Sequence, residues 1–229
     1  MEWEEFPFTK KLDEPEEIVE GCVEKRRELL MGFKGSPDVD KKRFDDAVKP
    51  TMMTMSLTGE PTLYPRAGDL VEEAKRRGMI TFLVTNGALP KQLEEIDPLP
   101  WQLYVSVYAP ERKTYYEIAR PETQKAWDQL NRTLELLPSL ETRKVIRLTM
   151  IKGYNMKDPE GYSRLIEKAE PNFVEVKAYE WVGESLRRLP REAMPWMEEV
   201  RGFAREISLQ TGYKIRGEFE ASGVVLLTI

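Results

Sequence analysis

The sequence predicts an α/β fold with a mostly parallel sheet. Apolar runs of strand length alternate with amphipathic helical stretches from residue 51 onward, in five successive units. Strands joined through helices are parallel, because each crossover is right-handed and needs a dozen or more residues. Polar residues gather at the C-terminal tips of the runs, where parallel α/β folds bind ligands. These observations suit either a barrel or an open doubly wound sheet.

The elements follow in order. Glu14–Met31 reads as a helix with Pro15 near its start and an apolar face of Ile18, Val19, Cys22, Val23, Leu29 and Leu30. Cys22 is expected there as a buried structural thiol. Gly32–Pro37 breaks the helix, and Asp40–Val48 reads as a short second one. The alternation then begins. MMTMSL precedes helical Ala67–Arg77, ITFLV precedes Pro90–Ile96, and LYVSV precedes Thr114–Ile118 and Thr123–Leu137. VIRLTMI is followed by Pro159–Lys168, and FVEVKAY by Met197–Gln210. Tyr213–Phe219 and Val224–Thr228 read as a terminal hairpin. The prolines and charges of Leu89–Leu99 mark a surface excursion. One domain spans residues 1–229: a helical lead-in (1–50), the βα units (51–185), and a C-terminal helix with strands (186–229).

Composition narrows the function. The chain has 229 residues, 33% of them charged, and no apolar run long enough to span a bilayer, so a cytoplasmic protein is expected. A net charge of −5 argues against holding nucleic acid through the overall field, although a local basic patch can still do so. Histidine is absent and Cys22 is the single cysteine. His-based general bases, Ser-His and Cys-His nucleophiles and cysteine-built metal sites are thereby excluded within one chain, so no metal ligands are assigned. No GxGxxG or GxxxxGK[ST] follows a strand, so dinucleotide and P-loop sites have no support.

The strand tips supply the candidate site. The first ends in Thr58-Gly59-Glu60-Pro61, a carboxylate beside bare backbone that suits an ammonium group. The second ends in Thr85-Asn86-Gly87, and the third carries Ser106 and Tyr108. The fourth bears Arg147 and Thr149, then Lys152-Gly153-Tyr154-Asn155. On the fifth, alternation puts Glu175, Lys177 and Tyr179 on one face, followed by Trp181-Val182-Gly183-Glu184-Ser185. Polar residues pointing inward at successive tips imply a polar ligand. Lys177, Arg187, Arg188 and Arg191 form a basic group beyond the fifth tip, suited to an anionic substrate.

The ordered series EPEEIVEGC, GFKGSPDVDKKRF, MSLTGEPTLYP, FLVTNG, YVSVYAP, VIRLTMIKGYN, FVEVKAY, VGESLRRL and MPWMEEVRGFA covers nearly the whole chain. It resembles the radical S-adenosylmethionine (SAM) enzymes, and more closely the tRNA 4-demethylwyosine synthase family. The resemblance implies a partial (βα)6 barrel, similar to a TIM barrel but lacking the N-terminal strand and cluster loop, with one sheet edge left open. Trp3, Phe6 and Phe8 are expected to cover part of that edge. It implies SAM as cofactor, with Thr58, Gly59 and Glu60 at its amino group. Asn86, Ser106 and Lys152 would lie near its ribose and carboxylate, and Val182 and Gly183 against its adenine. It implies tRNA as partner, met by Lys177, Arg187, Arg188 and Arg191, and a reaction joining two carbons of pyruvate to N-methylguanosine. The family's [4Fe–4S] cluster takes three cysteines from a CxxxCxxC loop, and its second-cluster cysteines and a lysine proposed to hold pyruvate are expected outside this sequence. With Cys22 alone the chain is expected to lack the cluster ligands and to be inactive in radical cleavage of SAM. It reads as a fragment or a divergent or engineered copy. Two alternatives stand beside this reading: a non-redox SAM- or RNA-binding barrel, and an unrelated α/β lyase using Lys152 or Lys177 as a Schiff base.

Overall fold

The structure, a computed structural model, describes residues 12–56 and 59–229. Its elements are α1 (Pro15–Met31), α2 (Lys41–Ala47), β1 (Met52–Met55), α3 (Ala67–Arg76), β2 (Ile80–Thr85), α4 (Pro90–Glu94), β3 (Gln102–Val107), α5 (Arg112–Ala119), α6 (Ala126–Leu136), β4 (Arg143–Met150), α7 (Pro159–Ala169), β5 (Phe173–Ala178), α8 (Ser185–Arg188), α9 (Met197–Thr211), β6 (Lys214–Phe219) and β7 (Val224–Thr228). Strands β1 to β5 pair in parallel in chain order. Then β7 inserts antiparallel between β5 and β6, giving the sheet order β1-β2-β3-β4-β5-β7-β6. The result is a partial, mostly parallel barrel of the kind the family resemblance implies, extended beyond β5 by the terminal hairpin, with β1 and β6 as its two edges.

Alternation along each strand splits the sheet into two environments. Leu83, Leu103, Val105, Ile146, Leu148, Val174, Val176, Val225 and Leu227 are fully buried on the helix-covered face. They share one core with Val71, Leu130, Leu134, Ile166 and Ile207 of the helices. Each fully buried aliphatic side chain contributes about 1.5–3 kcal/mol, so this face holds the fold together. The opposite, interior face carries the polar side chains. Register places Arg147 beside Glu175 on neighbouring strands, and the two form a paired contact of 2.8 and 3.2 Å. The Arg147 guanidinium also lies 4.5 Å from the Tyr104 ring centroid. Arg143 stacks likewise, 4.3 Å from Trp101 and 5.0 Å from Phe173. Cation–π contacts thus order the lower interior, around a cavity of about 350 Å³ that Tyr104, Arg143, Phe173 and Glu175 help to line.

Two expectations are corrected. Cys22 is exposed, because α1 docks through a narrow stripe centred on Pro15 and Val19. The C-terminal half of α1 runs past that support, which leaves Leu29 75% exposed. The stretch Leu89–Leu99 is no surface excursion: Leu93 and Ile96 enter the main core. Residues Trp3, Phe6 and Phe8, expected over the sheet edge, lie outside the described residues. Among the described residues no helix is long and apolar enough to cross a membrane.

Candidate functional site

At the C-terminal ends of the parallel strands lies a cavity of about 410 Å³. Asn86, Tyr108, Thr149 and Tyr179 line it from four successive strand ends, with Ile118 and Ala119 of α5, and Ser185 and Arg188 of α8. Each tip delivers its residue for a local reason. Parallel register aligns the strand ends, and a turn follows each one. Gly87 adopts φ +72 directly after Asn86, where an added Cβ would sit 2.8 Å from Leu130.

Glu60 organises the first two tips. Its Oε1 accepts hydrogen bonds from the Thr62 N–H (3.1 Å), the Thr62 hydroxyl (2.8 Å) and the Thr85 hydroxyl (2.7 Å). Its Oε2 accepts one from the Asn86 N–H at 2.8 Å. A carboxylate offers about four acceptor positions, so this one is nearly saturated by the chain itself. Only Oε2 retains room for a ligand ammonium. Asn86 turns its side-chain oxygen to the Ala88 N–H at 2.8 Å, which leaves its NH2 group available at the cavity wall.

Asn155 does the same for the third and fourth tips. It is fully buried, accepts from the Ile151 N–H, and donates to the Tyr108 and Thr149 carbonyls at 2.8 Å each. Burial, reinforced by the Glu60 charge, pushes the Tyr108 phenol above its ordinary range, while Ser106 and Arg147 oppose the rise. The cavity wall therefore presents a neutral hydroxyl. Ser106 is itself buried near the end of β3, two residues before Tyr108, which follows the strand.

The remaining sequence candidates scatter. Thr58 lies outside the described residues. Gly59 takes φ +86, in the left-handed region that glycine tolerates. Lys152 turns to Glu199 at the start of α9, 2.6 Å away, and is not among the residues lining the cavity. Lys177 is held by Glu180 and by the Ser222 carbonyl. Both ammonium groups sit in ion pairs, and neither lines the cavity. Val182 and Gly183 form an exposed turn fastened by the Ser185 hydroxyl, which accepts from the Val182 N–H at 3.1 Å. Arg187 pairs weakly with Glu184 at 3.4 Å, and Arg191 is exposed on a short 3₁₀ turn. Arg188 reaches the cavity rim and donates to the Ile118 carbonyl at 2.8 Å. Ile118 and Ala119 of α5, with Ile151 and Leu189, line the cavity although sequence reasoning does not single them out, because each looks like ordinary core. Asn155 enters the sequence reading only as part of the fourth tip, and its bracing role emerges from its buried hydrogen bonds.

Two family models divide the chain. The Radical SAM superfamily model matches residues 4–166, and the model for wyosine base formation matches residues 168–228. An S-adenosyl-L-methionine-dependent tRNA 4-demethylwyosine synthase of Pyrococcus abyssi is 49% identical over 219 residues, covering 94% of this chain and 64% of that protein. The counterpart in Methanocaldococcus jannaschii is 35% identical, covering 95% of this chain and 68% of that one. A solved structure of TYW1 with a lysine-pyruvate adduct bound aligns with a TM-score of 0.87 at 34% identity, over 95% of this chain and 70% of that one. The crystal structure of archaeal TYW1 aligns with a TM-score of 0.82 at 31% identity, over 97% of this chain and 72% of that one. The chain therefore spans slightly under two thirds of the length of its Pyrococcus relative.

Proposed function

Because the chain belongs to the radical SAM superfamily and, within it, to the tRNA 4-demethylwyosine synthase family, we propose that its strand-end cavity binds SAM and receives a guanosine of tRNA during formation of the tricyclic wyosine base. The observation that carries this reading is the convergence of Asn86, Tyr108, Thr149 and Tyr179 from four strand ends on one cavity with Arg188 at its rim.

The donor set suits SAM. The Asn86 NH2 and the hydroxyls near the cavity fit a carboxylate and a ribose, and Glu60 Oε2 offers one position to an ammonium. Val182 and Gly183, just before the cavity-lining Glu184 and Ser185, would offer backbone to an adenine. Thr58 and Gly59 stand beside Glu60 in sequence, and their part in holding the amino group belongs to the same proposal. Lys152, engaged with Glu199, is left out of it.

The residues do not suit the family's iron–sulfur cluster. Three thiolates are needed, and the chain has only Cys22, exposed on α1. Among the described residues no group of three or more His, Cys, Asp or Glu side chains is placed to hold a metal. No step through a cluster is assigned to these residues. What they do is bind and orient: the saturated Glu60 and Asn155 fix the tips, and Tyr108 stays protonated as a donor.

For the tRNA, the basic residues Arg187, Arg188 and Arg191 beyond β5 offer cations to phosphate, while Lys177 is already occupied. Pyruvate as co-substrate is part of the same proposal. Calorimetric titration with SAM is the test. Saturable heat that is weakened in Asn86→Ala is expected, and an absence of saturable binding in the intact protein would remove the reading.

A further inference from the structure

A second, smaller cavity of about 140 Å³ opens beside the first. Ile118, Ile151, Arg188 and Leu189 line both, so the two form one continuous groove. The small end adds Arg120, Tyr154 and Glu117.

Arg120 caps α5 in the left-handed conformation, φ 47 and ψ 54, where glycine or asparagine would be less strained. It is exposed, and its guanidinium has no hydrogen-bond or ion-pair partner among the described residues. Its neighbour on the groove, Arg188, donates to the Ile118 carbonyl and so neutralises part of the negative end of α5. Glu117 is the one acid on this wall, against two guanidinium groups. Tyr154 is 42% exposed, yet it stands on a rigid turn. Its N–H donates to the Ile151 carbonyl at 3.1 Å, and the adjoining Asn155 is fully buried and bonded on all sides of its amide. An exposed aromatic ring on a fixed backbone, beside two cations, has the composition of a single-strand stacking platform.

We infer that this groove holds the RNA nucleotide next to the one in the main cavity, with its base stacked on Tyr154 and the linking phosphate held by Arg120 and Arg188. The inference rests on the tRNA reading of the main cavity. It follows from continuity: a nucleotide placed in the large cavity must pass its backbone along a neighbouring rim, and this rim has two guanidinium groups and an aromatic ring.

The test is binding of the full chain to a fluorescently labelled tRNA across a range of salt, with SAM titration as a parallel readout. Arg120→Gly removes the guanidinium at a backbone position that glycine adopts without strain, so the fold is kept. It is expected to weaken RNA binding about threefold or more and to lower the magnitude of the log–log salt slope by about 0.7, while SAM binding is unchanged. Tyr154→Ala is expected to weaken binding by about fivefold to a hundredfold, with Tyr154→Phe retaining it. Wild-type affinity in both Arg120→Gly and Tyr154→Ala would overturn the groove and leave the main reading intact. If the wild-type chain binds SAM yet no RNA at any salt, the tRNA reading itself falls, and the groove with it.

Discussion

Glu60 accepts a hydrogen bond from the backbone N–H of Asn86 at 2.8 Å, which ties the tip of β1 to the tip of β2 across 26 residues of sequence. The same carboxylate takes the Thr85 hydroxyl and both donors of Thr62. It is a brace first, with one acceptor position to spare for a ligand.

That arrangement predicts an outcome for Glu60→Gln. The amide keeps one acceptor oxygen and replaces the other with an NH2 that faces donors. Hydrogen bonds to charged groups contribute about 1.5–3 kcal/mol, so a loss of about 2 kcal/mol in urea unfolding is expected. SAM affinity should fall by about tenfold or more in calorimetry. Thr85→Val removes one donor of four and should cost about 1 kcal/mol, with SAM binding nearly unchanged.

The interior pair Arg147–Glu175 makes a second prediction. Their side chains are 27% and 12% exposed, and the guanidinium also stacks on Tyr104. Arg147→Met would leave a mostly buried carboxylate without its cation, at about 2–3 kcal/mol by chemical denaturation. Adding Glu175→Met should recover most of that loss, because the uncompensated charge then disappears. A double variant no better than the single one would show that the stack on Tyr104 matters more than the ion pair.

Gly68 on α3 predicts a packing effect. A Cβ there would lie 2.2 Å from the Asp97 carbonyl oxygen, a backbone atom that cannot swing aside. Gly68→Ala should therefore destabilise by about 2–3 kcal/mol despite its better helix propensity, read as a fall in melting temperature. An unchanged or raised melting temperature would mean that the 97–98 loop yields readily.

The Lys152–Glu199 pair predicts a pH dependence. The Lys152 ammonium, with help from the Trp196 N–H, holds the Glu199 carboxyl below the usual carboxylate range. A depressed folded value means that the folded state favours the charged form. The stabilisation is then fully present above the ordinary carboxylate pKa and is lost as pH falls through the depressed one. Glu199→Gln should be about 0.5 kcal/mol less stable near neutrality, with the gap to wild type closing in acid. A gap that is constant from neutral to acidic pH would assign the effect to the helix cap alone.

Much of the fold is legible along the chain. Strand-length apolar runs and the caps at Pro15, Asp40 and Pro159 mark elements to within a few residues, because side-chain period and capping chemistry act over one or two turns. The strand-tip candidates are legible too, since ligands in parallel sheets gather at those ends. Asn86 and Arg188 do line the cavity. The misplacements have a shared cause. Cys22 follows the helical period yet faces outward, because only a narrow stripe of α1 around Pro15 and Val19 is buried. Lys152 and Lys177 sit at the expected tips, but each meets an acid: Glu199 on the distant α9 for Lys152, and Glu180, three residues on, for Lys177.

Sequence alone thus determines the order and kind of the elements, the parallel sense of the sheet, and the residue types offered at each strand end. These depend on local periodicity and on right-handed crossovers, which need no knowledge of distant contacts. Which offered groups remain free for a ligand depends on register between strands and on helices that return from far along the chain. Arg147 finds Glu175, Glu60 is filled by Thr85 and Asn86, and Arg120 meets Tyr154 and Arg188 on one rim. A charge is satisfied by whatever lies within a few ångströms, and that neighbourhood exists only once the sheet has assembled.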